Sequence, residues 1–210
     1  MNTISYLKEV YGYATPIFLK DIRIGRKSKT AIRKDLSRAV ERGEIVRKAQ
    51  GVYCFKHEND FSDGVTFEEI VRQKYIRNNY GIPRLDLDIY GYVTGISFLN
   101  QIGLTQQVPA VLEVATNNTS CKREYRIKNR VVVISKGRTE INRTNWKALQ
   151  FFDAISNISD EAIQDNKQLL IDYIKNNLTK MDFEKCISFY STKVIKRIVG
   201  EGLIYAFKWL

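Results

Sequence analysis

Apolar residues recur at helical spacing through the first forty positions, then switch abruptly to short β-type runs. Ile4, Leu7, Val10 and Tyr11 fall on one side of a helix over Ile4 to Tyr13. Ala14-Thr15-Pro16 breaks it, and Pro16 suits the first turn of a short second helix, "IFLKDI". The turn "RIGRKS" ends on Ser28, a candidate N-cap. A third helix is expected from Lys29 to Arg42, with Ile32, Leu36, Ala39 and Val40 as its apolar stripe and Gly43 just past its end. "EIVRKA" and "GVYCFK" then read as a β-hairpin turning at Gln50-Gly51, where glycine supplies the positive φ of such a turn.

The polar stretch "HENDFSDG" is the best domain boundary in the chain. It divides residues 1–58 from 59–210. Beyond it, Thr66 with Glu69 three residues on has the form of a capping box opening a helix to about Asn78. "GYVTGISFLNQIGL" reads as a helix, "VPAVLEVATN" as a strand, and "KREYRIKNRVVVIS" as two strands around Lys128-Asn129. Helices are expected over Asn142 to Ile155, Asp160 to Leu178 and Phe183 to Val199. The last carries Phe183, Ile187, Tyr190, Val194 and Ile198 on one face. The fold class is therefore α+β: an N-terminal winged helix-turn-helix, then a mixed α/β domain ending in a helical bundle.

Charge sharpens this reading. The formal net charge is +11. Eleven Lys or Arg and four Asp or Glu lie between Lys20 and Lys48, so 29 residues carry +7 of it. A concentration of that kind favours a polyanion, nucleic acid before an anionic membrane. On the third helix, at 100° per residue, the side opposite the apolar stripe carries Thr30, Lys34, Arg38 and Glu41, flanked by Ala31, Ser37 and Arg42. The DNA contacts expected from this helix are Lys29, Thr30, Arg33, Lys34, Ser37, Arg38 and Arg42. A major groove admits one helix, and its walls are phosphate. Arg47, Lys48 and Gln50 on the hairpin extend the same surface. These ten residues are the expected contacts to double-stranded DNA. Lys122, Arg123, Arg126, Lys128 and Arg130 form a possible second basic patch.

At this point "LSRAVERGEIVRKAQGVYCF", Leu36 to Phe55, resembles the N-terminal winged helix of AbiEi-type antitoxins of abortive-infection systems. The shared features are Leu-Ser-Arg, a glycine ending the helix, Ile-Val-Arg and Gly-Val-Tyr. A second block, "GYVTGISFLNQIGLTQQVPAVLEVATN" at 91–117, is similar to the part of that family that follows. The resemblance implies a transcriptional regulator that represses its own promoter. It also implies an antitoxin partnered with a nucleotidyltransferase-like toxin.

Other chemistry finds less support. Asp86 and Asp88 form an Asp-x-Asp pair, and Glu113 is a candidate third carboxylate for metal-dependent nuclease or nucleotidyltransferase chemistry. No Gly-Ser step precedes the pair, and no lysine follows Glu113 at nuclease spacing. His57 has no nucleophile partner, and a phosphate-binding glycine loop is absent. Cys54, Cys121 and Cys186 are dispersed, so no zinc site of Cys and His is expected, and reduced thiols in a cytoplasm are. The opening "MNTISYLKEV" has no apolar core of leader type, and no apolar run is long enough for a membrane span. The expectation is a non-enzymatic cytoplasmic DNA-binding protein without cofactor or metal. The alternatives are a nuclease or nucleotidyltransferase and a protein-binding module without DNA affinity.

Overall fold

The structure is a computed structural model, and it describes residues 2–56, 64–77, 88–127 and 129–207. Helices and two sheets make it a mixed α+β protein. It divides into two compact units. The first comprises Met1–Lys74, Asn78–Leu87 and Arg126–Arg130, and the second Tyr75–Arg77, Asp88–Tyr125 and Val131–Leu210. The first unit therefore runs past residue 58 and includes a helix that the composition break places outside it.

In the first unit, α1 (Thr3–Tyr11) starts at Asn2, whose side chain accepts from the Ile4 N–H at 3.0 Å. It buries Ile4 and Leu7. The expected short second helix does not form. Ile17–Phe18 is instead a strand, β1, antiparallel to β3 in the register Ile17–Tyr53 and Phe18–Val52. Six residues are too few to nucleate a helix unaided. Both apolar side chains bury fully on the sheet, while the Leu19 N–H donates to the Gly51 carbonyl at 2.9 Å. The helix α2 (Lys29–Glu41) then begins at Ser28, whose hydroxyl accepts from Ala31 N. It buries Ile32, Leu36 and Ala39, and Val40 packs half-buried beside them. The hairpin β2 (Val46–Ala49) and β3 (Val52–Cys54) completes a three-stranded sheet in the order β1-β3-β2. After it comes α3 (Phe67–Val71), with the Thr66 hydroxyl accepting from Glu69 N as expected. From Arg72 to Ile76 the helix widens to π geometry.

The second unit is built on a four-stranded sheet in the order β4-β5-β7-β6. Here "GYVTGISFLNQIGL" corrects the expectation of a single helix. Gly91–Thr94 is the edge strand β4, antiparallel to β5 (Val111–Thr116), and only Gly95–Gln101 is helical, as α4. The switch falls on Gly95, which has φ +62°, and a Cβ there would lie 1.8 Å from the Glu113 carboxylate on the adjacent strand. Glycine is thus required twice over, for the dihedral and for the close approach. Strand β5 runs parallel to β7 (Arg130–Lys136), and β6 (Arg123–Ile127) lies beyond it.

The helix α5 (Trp146–Asn157) is deeply buried, with Leu149, Phe151, Phe152 and Ile155 wholly inaccessible. The expected helix over Asp160 to Leu178 is two helices, α6 (Asp160–Asp165) and α7 (Lys167–Asn177), broken at Asn166, whose side-chain amide donates to the Ala162 carbonyl at 2.9 Å. The expected terminal helix is likewise two, α8 (Lys180–Cys186) and α9 (Thr192–Gly200). Tyr190, between them, is extended. Its hydroxyl donates toward Asp153 and the Leu149 carbonyl, each at 2.9 Å, so a tertiary anchor interrupts the helix while Phe183, Tyr190, Val194 and Ile198 stay buried as their spacing requires. Among the described residues no helix is long and apolar enough to cross a membrane.

Candidate nucleic-acid interface

The interface is built on α2. Its apolar stripe faces the first unit's core, which turns Thr30, Arg33, Lys34, Ser37 and Arg38 to solvent. The acid within this run, Asp35, does not oppose them. It turns aside to the Thr3 hydroxyl and the Lys27 ammonium, and these two hydrogen bonds hold its carboxyl below the usual carboxylate range. Lys27 also donates to Thr3 Oγ1 at 2.7 Å, so the trio ties α1, the turn and α2 together. At the far end of the helix, Arg42 is exposed but binds Glu44 through Nε at 2.6 Å and Nη2 at 3.2 Å. Of the predicted helical contacts, Arg42 is therefore already engaged.

Lys29 is engaged more deeply. Its ammonium donates to the carbonyls of Leu19, Lys20 and Ile22 at 2.8, 2.9 and 2.7 Å. Desolvation and then the nearby Arg23 lower its pKa. All three of its protons are used in fastening the β1 turn to the start of α2. The sequence marks Lys29 as a DNA contact; the structure makes it a positioning residue.

On the hairpin, Arg47 and Gln50 are exposed, whereas Lys48 is only 4% exposed. Alternation along β2 puts Lys48 on the face opposite Arg47. A register shift falls at the same place: Arg47 opposes Tyr53 and Ala49 opposes Val52, so Lys48 is the extra residue of a bulge. Its expected role on the DNA surface does not hold, because a buried ammonium cannot reach phosphate.

Between α2, the end of β1 and the hairpin lies a groove of about 850 Å³. Its cations are Lys20, Lys29, Arg33, Arg47 and Lys74, with Ser37 and Gln50 beside them, and among the described residues no Asp or Glu lines it. Lys20 belongs to the basic run of the sequence, but only the fold puts it at this groove. Lys74 has no sequence signal at all: it arrives on the π-helical turn after α3.

The second basic patch is differently disposed. Lys122, Arg123, Arg126 and Arg130 are exposed, and Lys128 lies outside the described residues. On β6 side chains alternate, so Arg123 and Arg126 point to opposite faces. Arg123 Nε donates to the Cys121 sulfur at 3.3 Å, an interaction that lowers that thiol's pKa. Arg130 pairs with Glu68 and lies 4.5 Å over the Phe67 ring. The patch is not one continuous cationic face.

Of the acids considered for metal chemistry, Asp86 lies outside the described residues, as does His57. Asp88 is exposed, and Glu113 is half-buried on β5 beneath Gly95. Among the described residues no three His, Cys, Asp or Glu are grouped to hold a metal ion. Among the described residues none of Cys54, Cys121 and Cys186 forms a disulfide.

No known protein family, no curated protein and no solved structure matches this chain.

Proposed function

We propose that the first unit is a winged helix that binds double-stranded DNA, with α2 entering the major groove and the β2–β3 hairpin as the wing. The observation that carries this reading is the groove between them, whose lining is cationic and which the exposed Arg33 and Arg47 flank. Arg33, Lys34 and Arg38 are placed for base edges or phosphate. Thr30 and Ser37 are short enough to let the helix approach closely. Order along the chain supports the same reading: helix, connecting segment, helix and hairpin follow within 55 residues.

The resemblance to AbiEi-type antitoxins extends the proposal. The protein represses its own promoter and neutralises a nucleotidyltransferase-like toxin encoded beside it. DNA binding occupies the basic face of the first unit, so neutralisation uses another surface. The test is a fluorescence-anisotropy titration of the full chain against the duplex upstream of its own coding sequence and a scrambled duplex. The upstream duplex should bind more tightly, with a log–log salt slope of about −4 to −5. Affinity that does not change with salt, or equal affinity for the two duplexes, refutes specific DNA binding. Co-expression with the product of the neighbouring reading frame tests the antitoxin role: no rescue of growth leaves a stand-alone repressor.

A further inference from the structure

We propose that Lys20 and Lys74 together hold a DNA backbone phosphate in the groove beside α2, so that the DNA-binding surface is completed by the π-helical turn after α3 and does not end with the hairpin. The inference rests on the DNA-binding reading above and assigns two residues to it that lie outside the winged-helix pattern.

Three observations support it. First, both lysines line the same groove, together with Arg33 and Arg47. Second, the backbone of Lys20 is held rigidly: its carbonyl accepts from Lys29 Nζ at 2.9 Å and from Arg23 Nη1 at 2.6 Å. The side chain therefore projects from a fixed base, and the three hydrogen bonds of the Lys29 ammonium to backbone carbonyls acquire a purpose. Third, Lys74 is half-buried, and its pKa is lowered first by desolvation and then by the charge of Lys20.

The chemistry of the residues also divides the labour. A lysine ammonium is a compact point charge with rotatable donors, suited to phosphate and indifferent to base sequence. Arginine, with its planar fork, reads guanine edges. Lys20 and Lys74 accordingly set the depth and angle at which the duplex sits. Arg33 and Arg38 on α2 take the sequence-dependent part. The wide π turn carries Lys74 to the groove while its neighbour Gln73 stays buried. Turns of this kind recur at functional sites.

The experiment uses the full chain with Lys20→Gln, Lys74→Gln and Lys74→Arg, titrated by anisotropy against the upstream and scrambled duplexes over a series of KCl concentrations. Each glutamine variant should weaken binding to both duplexes by the same factor, leave their affinity ratio unchanged, and flatten the salt slope by about 0.9. Lys74→Arg should restore the slope, which separates loss of charge from loss of fold. Wild-type slopes in both glutamine variants overturn the inference while DNA binding stands. A parent chain that binds neither duplex overturns both.

Discussion

The two units use the same residue types in opposite ways. In the first, Arg33, Lys34 and Arg38 extend from α2 into solvent, and the acid among them is drawn aside by Thr3 and Lys27. In the second, charged and polar side chains turn inward. Asp153, only 14% exposed at its side chain, accepts from the Tyr92 hydroxyl at 2.7 Å, the Tyr190 hydroxyl at 2.9 Å and Arg138 Nε at 3.1 Å. Burial and this carboxylate together push both tyrosine pKa values up. Arg197 donates through Nη1 to the carbonyls of Ile155 and Ile158, each at 2.9 Å, closing the end of α5. Gln150 likewise donates to the Val93 carbonyl at 2.7 Å and joins α5 to the edge strand β4. The difference teaches that a charged residue becomes a binding group or a structural one according to whether its own fold supplies the partners. Lys29 shows the rule inside the first unit: it lines the groove, but three backbone carbonyls take up its donors.

The contrast is strongest at Asp153. Asp153→Ala leaves the buried Tyr92 hydroxyl without its acceptor and Tyr190 with the Leu149 carbonyl alone, and should cost about 2–3 kcal/mol of stability, read by urea denaturation. DNA affinity, measured where the variant remains folded, should not move. A fold that keeps its stability but loses DNA binding would break the comparison. The converse is expected for Arg33→Ala with Arg38→Ala. Each should cost about 1–3 kcal/mol of binding to the upstream duplex if it reaches a base edge. The urea midpoint should stay within roughly 0.5 kcal/mol of the parent's. Equal loss on the scrambled duplex would make both residues phosphate contacts like Lys20 and Lys74 and erase the division of labour between them.

The smallest effect belongs to Asp35, which is half-exposed and therefore screened. Asp35→Asn should cost less than about 1 kcal/mol. Because the folded state holds this carboxyl below its ordinary value, its contribution is present above a pH of about 4. It is lost as pH falls through the lower folded-state value. The stability difference between parent and variant should therefore vanish on acidification. A difference that persists in acid would assign the effect to packing.

The N-terminal surface was readable because α2 combines local signals that agree. Its 3.6-residue period separates the buried Ile32, Leu36 and Ala39 from the exposed Arg33, Lys34 and Arg38, and Ser28 and Gly43 mark its ends. The hairpin was equally plain from Gln50-Gly51 between two β-rich runs. A strand obeys a different period, and here the reading failed in detail: alternation along β2 sends Lys48 inward while Arg47 points out. The basic run at 122–130 failed as one face for a related reason, since alternation divides Arg123 from Arg126.

By itself, then, the sequence determined what depends on neighbours a few positions apart: α2 and its cationic side, the turn at Gly51, the N-caps at Ser28 and Thr66, and the apolar stripe through Phe183 and Ile198. Tertiary structure alone decided what depends on partners far along the chain. Ile17 and Phe18 became a strand because β3 was there to pair with them. Gly91–Thr94 became a strand because β5 was there, and the helix after it waits until Glu113 has been passed. Tyr190 stopped a helix because Asp153 lay within reach of its hydroxyl. Lys74 came to the groove on a turn whose geometry no spacing of residues announces. Local propensities are worth only tenths of a kcal/mol per residue. A buried side chain or a satisfied buried polar group is worth about one or more, so where the two conflict the distant partner wins.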